Sequence, residues 1–153
     1  MIAVAGLPRS HLSNKEKTYI SKYENPTNGK ISDEEYDKLR VDSIHNKDAK
    51  EYMLGKYDPN HQNGYIEKAG KKYKYFDMGD NWNRLIKEYG FNDKEIFDSF
   101  NRPFIQEGID RRAAFNFSHD PYNPTGSFSK EIDILIEAGY IPDPTNAFRW
   151  IKP

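Results

Sequence analysis

Apolar positions in the first part of the chain recur at helical spacing, and each run opens on a capping signal. Ser13-Asn14-Lys15-Glu16 has the pattern of a capping box, in which two free N–H groups at a helix start are satisfied reciprocally. It predicts a helix to about Glu24, broken by Asn25-Pro26-Thr27-Asn28-Gly29. Ser32-Asp33-Glu34-Glu35 repeats the signal. Tyr36, Leu39, Val41 and Ile44, then Tyr52, Met53 and Leu54, fit one long helix or two shorter ones up to Gly55, closed by Asp58-Pro59-Asn60.

The second part alternates strand-like and helix-like runs. Lys72-Tyr73-Lys74-Tyr75-Phe76-Asp77-Met78 predicts a short aromatic strand, with Tyr65-Ile66 as a further short candidate. Asp80 stands where it can cap a helix holding Trp82, Leu85, Ile86 and Tyr89, which Gly90 ends. Asn92-Asp93-Lys94-Glu95 opens another helix, kinked or divided at Pro103. Ala114-Phe115-Asn116-Phe117-Ser118 alternates as a strand, and the Pro-flanked run 119–126 reads as a loop. A helix from Ser127 or Ser129 carries Ile132, Leu135 and Ile136 to Gly139, and Phe148-Arg149-Trp150-Ile151 is a last strand.

This order predicts an α/β chain, with α+β left open: a helical N-terminal segment, then a small β-α-α-β-α-β domain with helices packed on a short sheet. Strands separated by helices favour parallel pairing, although a mixed or antiparallel sheet also fits. A parallel sheet would gather the loops after Met78 and Ser118 at one edge, where ligands bind in such folds.

Composition narrows the chemistry. Of 153 residues only 36% are apolar, but 14% are aromatic, enough bulky rings to fill a modest core. The net charge of -1 supplies no global attraction to nucleic acid or a membrane. Lys68, Lys71, Lys72 and Lys74 form a local basic cluster, which fits either an anion patch or a solvated edge. With no cysteine, disulfides, thiolate nucleophiles and Cys-ligated zinc are excluded. His11, His45, His61 and His119 are too scattered for a His-x-x-x-His site. The apolar run 1–7 lacks a basic flank and is too short for a signal or anchor.

The most suggestive segment is Phe117-Ser118-His119-Asp120-Pro121. A strand delivers His119 into a rigid loop, and histidine exchanges protons near neutral pH. Asp120 can orient it. Thr125, Ser127 and the N–H groups of the following helix could cradle a phosphate, with Lys130 and Glu131 in the first turns. Each has an ordinary reading too: His119 as a turn residue, Ser127 and Ser129 as caps, Glu131 as a partner of the helix dipole. Arg111 and Arg112 suit either a phosphorane-like charge or a helix C-terminus, and Arg102 is similarly placed. Asp77, Asp80 and Asp120 have no diagnostic metal spacing; Tyr75, Trp82 and Trp150 suit either base stacking or a core. His45 is a reserve acid/base candidate.

A resemblance adds to this reading. Residues 49–57, Gly64-Tyr65-Ile66, Tyr75-Phe76-Asp77-Met78-Gly79-Asp80-Asn81-Trp82, Phe117-Ser118-His119-Asp120-Pro121, Thr125-Gly126-Ser127-Phe128 and Glu131-Ile132 resemble the C-terminal toxin domains of bacterial polymorphic toxins, of the contact-dependent growth inhibition type. Many such domains are ribonucleases, often acting on tRNA. The resemblance implies a helical linker segment (1–44), a toxin domain (45–153), and release from a larger surface effector to act in the target-cell cytoplasm. It further implies a cognate immunity protein as partner, RNA (tRNA) as substrate, no cofactor or metal, and no stable membrane insertion. Catalysis would fall to His119, Asp120, Arg112, Thr125, Ser127 and Glu131. Asp80, Trp82, Lys72, Lys130 and Arg111 would hold the substrate.

Overall fold

The computed structural model describes residues 24–153, and the helix expected from Ser13 lies outside them. The elements run α1 (Asp33–Ser43), β1 (Ile44–His45), β2 (Tyr52–Leu54), α2 (Tyr65–Ala69), β3 (Tyr75–Phe76), α3 (Asn81–Tyr89) and α4 (Asp93–Ile96). A π-helical turn (Phe97–Asn101) leads into α5 (Arg102–Asp110), followed by β4 (Phe115–Phe117), α6 (Gly126–Glu137), β5 (Ile141–Asp143) and β6 (Asn146–Ile151). The chain is a mixed α/β protein. It divides into two compact units, one formed by the segment ending at Ile44 with Phe76–Pro103, the other by His45–Tyr75 with Phe104–Pro153.

The first unit is helical, and its helix starts are those the local sequence signals. Ser32 Oγ accepts the Glu35 N–H at 3.1 Å to cap α1. Asn92 and Glu95 form the reciprocal capping box that opens α4. Gly90, at φ 70°, ends α3 in the left-handed conformation. Tyr36, Leu39, Leu85, Ile96, Phe97 and Phe100 are buried; Tyr36 and Phe100 meet at 5.0 Å, and Tyr36 Oη donates to Ser99 O at 2.6 Å. The π turn lies just before Pro103, the residue expected to interrupt the helix. A ring without an N–H removes one ladder bond, and a π turn is one way to absorb that loss.

The second unit carries a four-stranded sheet of order β2-β4-β6-β5. β2 runs parallel to β4, with Tyr52, Met53 and Leu54 opposite Phe115, Asn116 and Phe117. β6 pairs antiparallel with both β4 and β5, so the sheet is mixed. Residues 52–54, expected in a helix, form this buried strand: all three are covered, and such a run has no alternation to betray it. Tyr65-Ile66 opens α2 instead of forming a strand. β3 pairs with β1 in a two-stranded sheet, while neighbouring Lys74 bridges to Tyr52.

Tyr52 packs on Phe104 and Phe115, and Phe117 on Phe128 and Trp150, each pair with ring centroids 5.0–5.9 Å apart. Rings buried this fully stabilise the unit by roughly 1.5–3 kcal/mol each. Gly108 lets α5 lie close on the sheet, since a Cβ there would sit 2.6 Å from the Phe115 ring. No helix among the described residues is long and apolar enough to cross a membrane.

Candidate active site

The parallel ladder continues one residue beyond β4, where the Ser118 N–H donates to Leu54 O at 3.0 Å. That bond fixes the backbone from which His119 leaves the sheet. Ser118 is buried, and its Oγ lies 2.7 Å from His119 Nδ1. The imidazole is thus oriented by the hydroxyl of the residue before it. From the last turn of α2, Lys68 donates its ammonium to Ser118 O at 2.6 Å. Buried Ala69 anchors that turn.

The charges around His119 decide its protonation state. Partial burial, then Lys68 and Lys56, hold its pKa below the ordinary 6.5, with Asp58 opposing them. The ring is therefore neutral at pH 7, able to accept a proton beside two cations. Asp58 is held in place by the backbone, accepting N–H bonds from Asn60 at 2.9 Å, Gln62 at 3.2 Å and Asn63 at 2.9 Å. Those bonds keep its carboxyl below the usual aspartate value, with His61 adding a smaller electrostatic contribution.

A buried glutamate is tied to the backbone of Gly55. Glu131, on α6, is buried and accepts the Gly55 N–H, but its Oε1 has no hydrogen-bond partner. Burial pushes its pKa up to about 8, so the carboxyl is protonated at neutral pH. Gly55 links it to the imidazole: a Cβ there would fall 1.7 Å from Ser118 Oγ, so only glycine permits this approach. Glu131, Gly55, Ser118 and His119 form a continuous packed series.

The other sequence candidates have different surroundings. Asp120 accepts the Tyr122 N–H at 2.9 Å and shapes the turn, while the His119 Nδ1 partner is Ser118. Thr125 occupies the N-cap of α6 without a side-chain cap bond, and Ser127 and Lys130 are exposed on that helix. Arg112 donates to the backbone oxygen of Pro153, and Arg111 pairs with buried Glu107 at 2.6 Å. Lys72 lies over the Tyr73 ring.

Asp80 and Trp82 belong to the helical unit. Asp80 stands at the N-cap of α3 without a side-chain cap bond, and Trp82 Nε1 donates to Asp93 at 2.8 Å. His45 stacks on Tyr75 at 4.8 Å. Of the basic cluster, Lys68 reaches the His119 strand end, and Lys74 is buried against the Tyr52 ring.

Lys56 and Asp58 received no role in the sequence reading, which placed Lys56 within the resembling stretch 49–57 and took Asp58-Pro59-Asn60 as a helix stop. Their one visible signal was the Gly55-Lys56-Tyr57-Asp58-Pro59 turn itself, a polar turn directly after a buried strand. Among the described residues, no three His, Asp or Glu side chains converge as metal ligands. The arrangement is a base beside cations, suited to removing a proton next to a bound anion. Compared with models of known protein families, with curated proteins and with solved structures, the chain matches none of them.

Proposed function

We propose that the second unit is a ribonuclease domain cleaving RNA by general acid/base chemistry, with His119 as the base. The observation that carries this reading is the His119 imidazole oriented by Ser118 Oγ at 2.7 Å, with the Lys68 ammonium bound to the Ser118 carbonyl next to it at 2.6 Å. In the tautomer that donates Nδ1–H to Ser118 Oγ, Nε2 has its lone pair free. Nε2 would take the proton of the 2′-hydroxyl, and the alkoxide would attack the neighbouring phosphorus. The P–O5′ bond breaks, giving a 2′,3′-cyclic phosphate and a 5′-hydroxyl. Lys56 and Lys68 would offset the charge accumulating on the phosphate oxygens. Glu131 and Gly55 act through Ser118, as positioning residues.

The biological setting rests on the resemblance to contact-dependent growth inhibition toxins. It makes tRNA the first substrate to test, the target-cell cytoplasm the place of action and a cognate immunity protein the inhibitor. The test is incubation of the purified chain with total bacterial RNA, with and without EDTA, beside His119→Ala. Discrete tRNA cleavage that survives EDTA and drops by about 10²–10⁴-fold in the variant is the expected result. Cleavage abolished by EDTA would indicate a metal-dependent enzyme instead. Intact RNA with folded protein would leave a nucleotide-modifying enzyme or a partner-binding module.

A further inference from the structure

Cleavage at His119 requires that one 2′-hydroxyl and its own phosphate be held together at the imidazole, and contacts to the phosphate alone leave the nucleotide free to turn. We infer that Tyr57 and Tyr122 are stacking platforms for the nucleobases on either side of the cleaved bond, so that the site takes unpaired RNA. This assignment rests on the ribonuclease reading and deepens it by naming the form of RNA that fits.

Both tyrosines lie on turns that leave the sheet beside His119. β2 and β4 are parallel neighbours, so their turns start at the same end, and the chains touch there: a Cβ on Gly55 would meet Ser118 Oγ at 1.7 Å. Tyr57 follows Gly55 by two residues, past Lys56, whose carbonyl accepts the Tyr65 N–H at 3.0 Å. Tyr122 follows His119 by three. Asp120 Oδ1 takes the Tyr122 N–H at 2.9 Å and Asp120 O takes the Asn123 N–H at 3.4 Å, so this turn folds back instead of running away from the imidazole. At about 3.8 Å per residue, Tyr57 Cα is within about 8 Å of Gly55 Cα, and Tyr122 Cα within about 11 Å of His119 Cα.

Sheet order puts the two on opposite flanks of β4, whose neighbours are β2 and β6. Tyr122 leans onto β6, with its Oη 3.5 Å from Ala147 O and its ring 6.1 Å from that of Trp150. Trp150, a stacking candidate in the sequence, is only 4% exposed and serves as the support of Tyr122. Tyr57 comes from the β2 side and is steadied edge-on by His61, with centroids 6.0 Å apart. Tyr52, Phe115, Phe117 and Phe128 are buried in the core of this unit, whereas Tyr57 is 57% and Tyr122 59% exposed. Between them the Lys68 ammonium holds Ser118 O at 2.6 Å. Water-facing rings on both sides of a cation suit a ligand that joins planar bases through an anionic backbone. Bases in a duplex are already stacked, so only a looped or terminal strand can splay them onto the protein.

Short RNAs test the assignment. A single strand should be cleaved at least about tenfold faster than the same sequence held in a duplex. Tyr57→Ala and Tyr122→Ala should each raise KM for the single strand about tenfold, with kcat within about threefold. Tyr57→Phe and Tyr122→Phe keep the ring and should stay within about twofold of the unaltered chain. RNAs lacking one base beside the cleaved bond separate stacking from any effect on folding. Each deletion should raise KM about tenfold for the unaltered chain and change it little further in the matching alanine variant. Unchanged KM in both alanine variants, equal rates on single strand and duplex, or base deletions that add in full to both substitutions would overturn the platforms while leaving His119 in place. An unaltered chain that leaves every RNA intact would instead remove the ribonuclease reading and the platforms with it.

Discussion

Glu131 should make the protein less stable as the pH rises, and the size of the effect follows from its burial. Its folded pKa of about 8 lies above the ordinary 4.5 of an exposed glutamate. Below pH 4.5 both folded and unfolded chains hold the proton, and Glu131 costs nothing. Between 4.5 and 8 the unfolded chain releases a proton that the folded chain keeps, so stability falls by up to about 1.4 kcal/mol per pH unit. By pH 7 the accumulated cost is about 3 kcal/mol. Glu131→Gln does not titrate, and its amide oxygen can still accept the Gly55 N–H. The variant's advantage over the unaltered chain should therefore grow by about 3 kcal/mol from pH 4.5 to 7. Urea unfolding at stepped pH values measures it, as a midpoint difference that widens by roughly 1–3 M. Parallel stability curves for the two proteins would refute the reasoning, because they would mean that Glu131 ionises in the folded chain as it does in water.

Other perturbations test the remaining contacts. Lys68→Met removes one of the charges that lower the His119 pKa, so the NMR titration midpoint of His119 should move up toward 6.5 and the low-pH limb of activity should follow it. Ser118→Ala deletes the hydroxyl beside Nδ1; turnover should drop roughly tenfold or more, with a stability loss of only about 1 kcal/mol by urea unfolding. Gly55→Ala forces a Cβ into Ser118 Oγ and should cost more than about 3 kcal/mol, read as a lowered thermal midpoint, with part recovered in a Gly55→Ala, Ser118→Gly double variant. Tyr140→Phe removes the hydroxyl that donates to Ala113 O at 2.7 Å and should destabilise by about 1 kcal/mol in the same assay.

Features written in neighbouring residues were legible, and features made by distant ones were not. Ser32 with Glu35, Asn92 with Glu95, and Gly90 state their helix boundaries within four residues, because the bonds involved are themselves local. The buried strand 52–54 was read as helix because three consecutive apolar residues fit either period. β5 was missed because Pro142 argues against a strand; at the sheet edge its missing N–H is tolerated. In the site, Ser118-His119 stood out through its chemistry, but Lys68 meets Ser118 from fifty residues away. Glu131 was noticed as a helix-dipole partner, yet its perturbation comes from burial against Gly55, a tertiary fact.

The interleaving of the two units bears on how the protein is made. Tyr52 emerges from the ribosome well before Phe115, its parallel partner, and at roughly 5–20 residues per second the delay is roughly 3–13 s. Throughout that interval residues 52–54, covered on both faces in the finished sheet, lack their β4 partner and have only the bridge from Lys74 on the other side. The helical unit closes first, since its last segment ends at Pro103. Synthesis therefore leaves an apolar segment without its β4 partner for seconds, which makes this stretch the natural point of engagement for a holding chaperone.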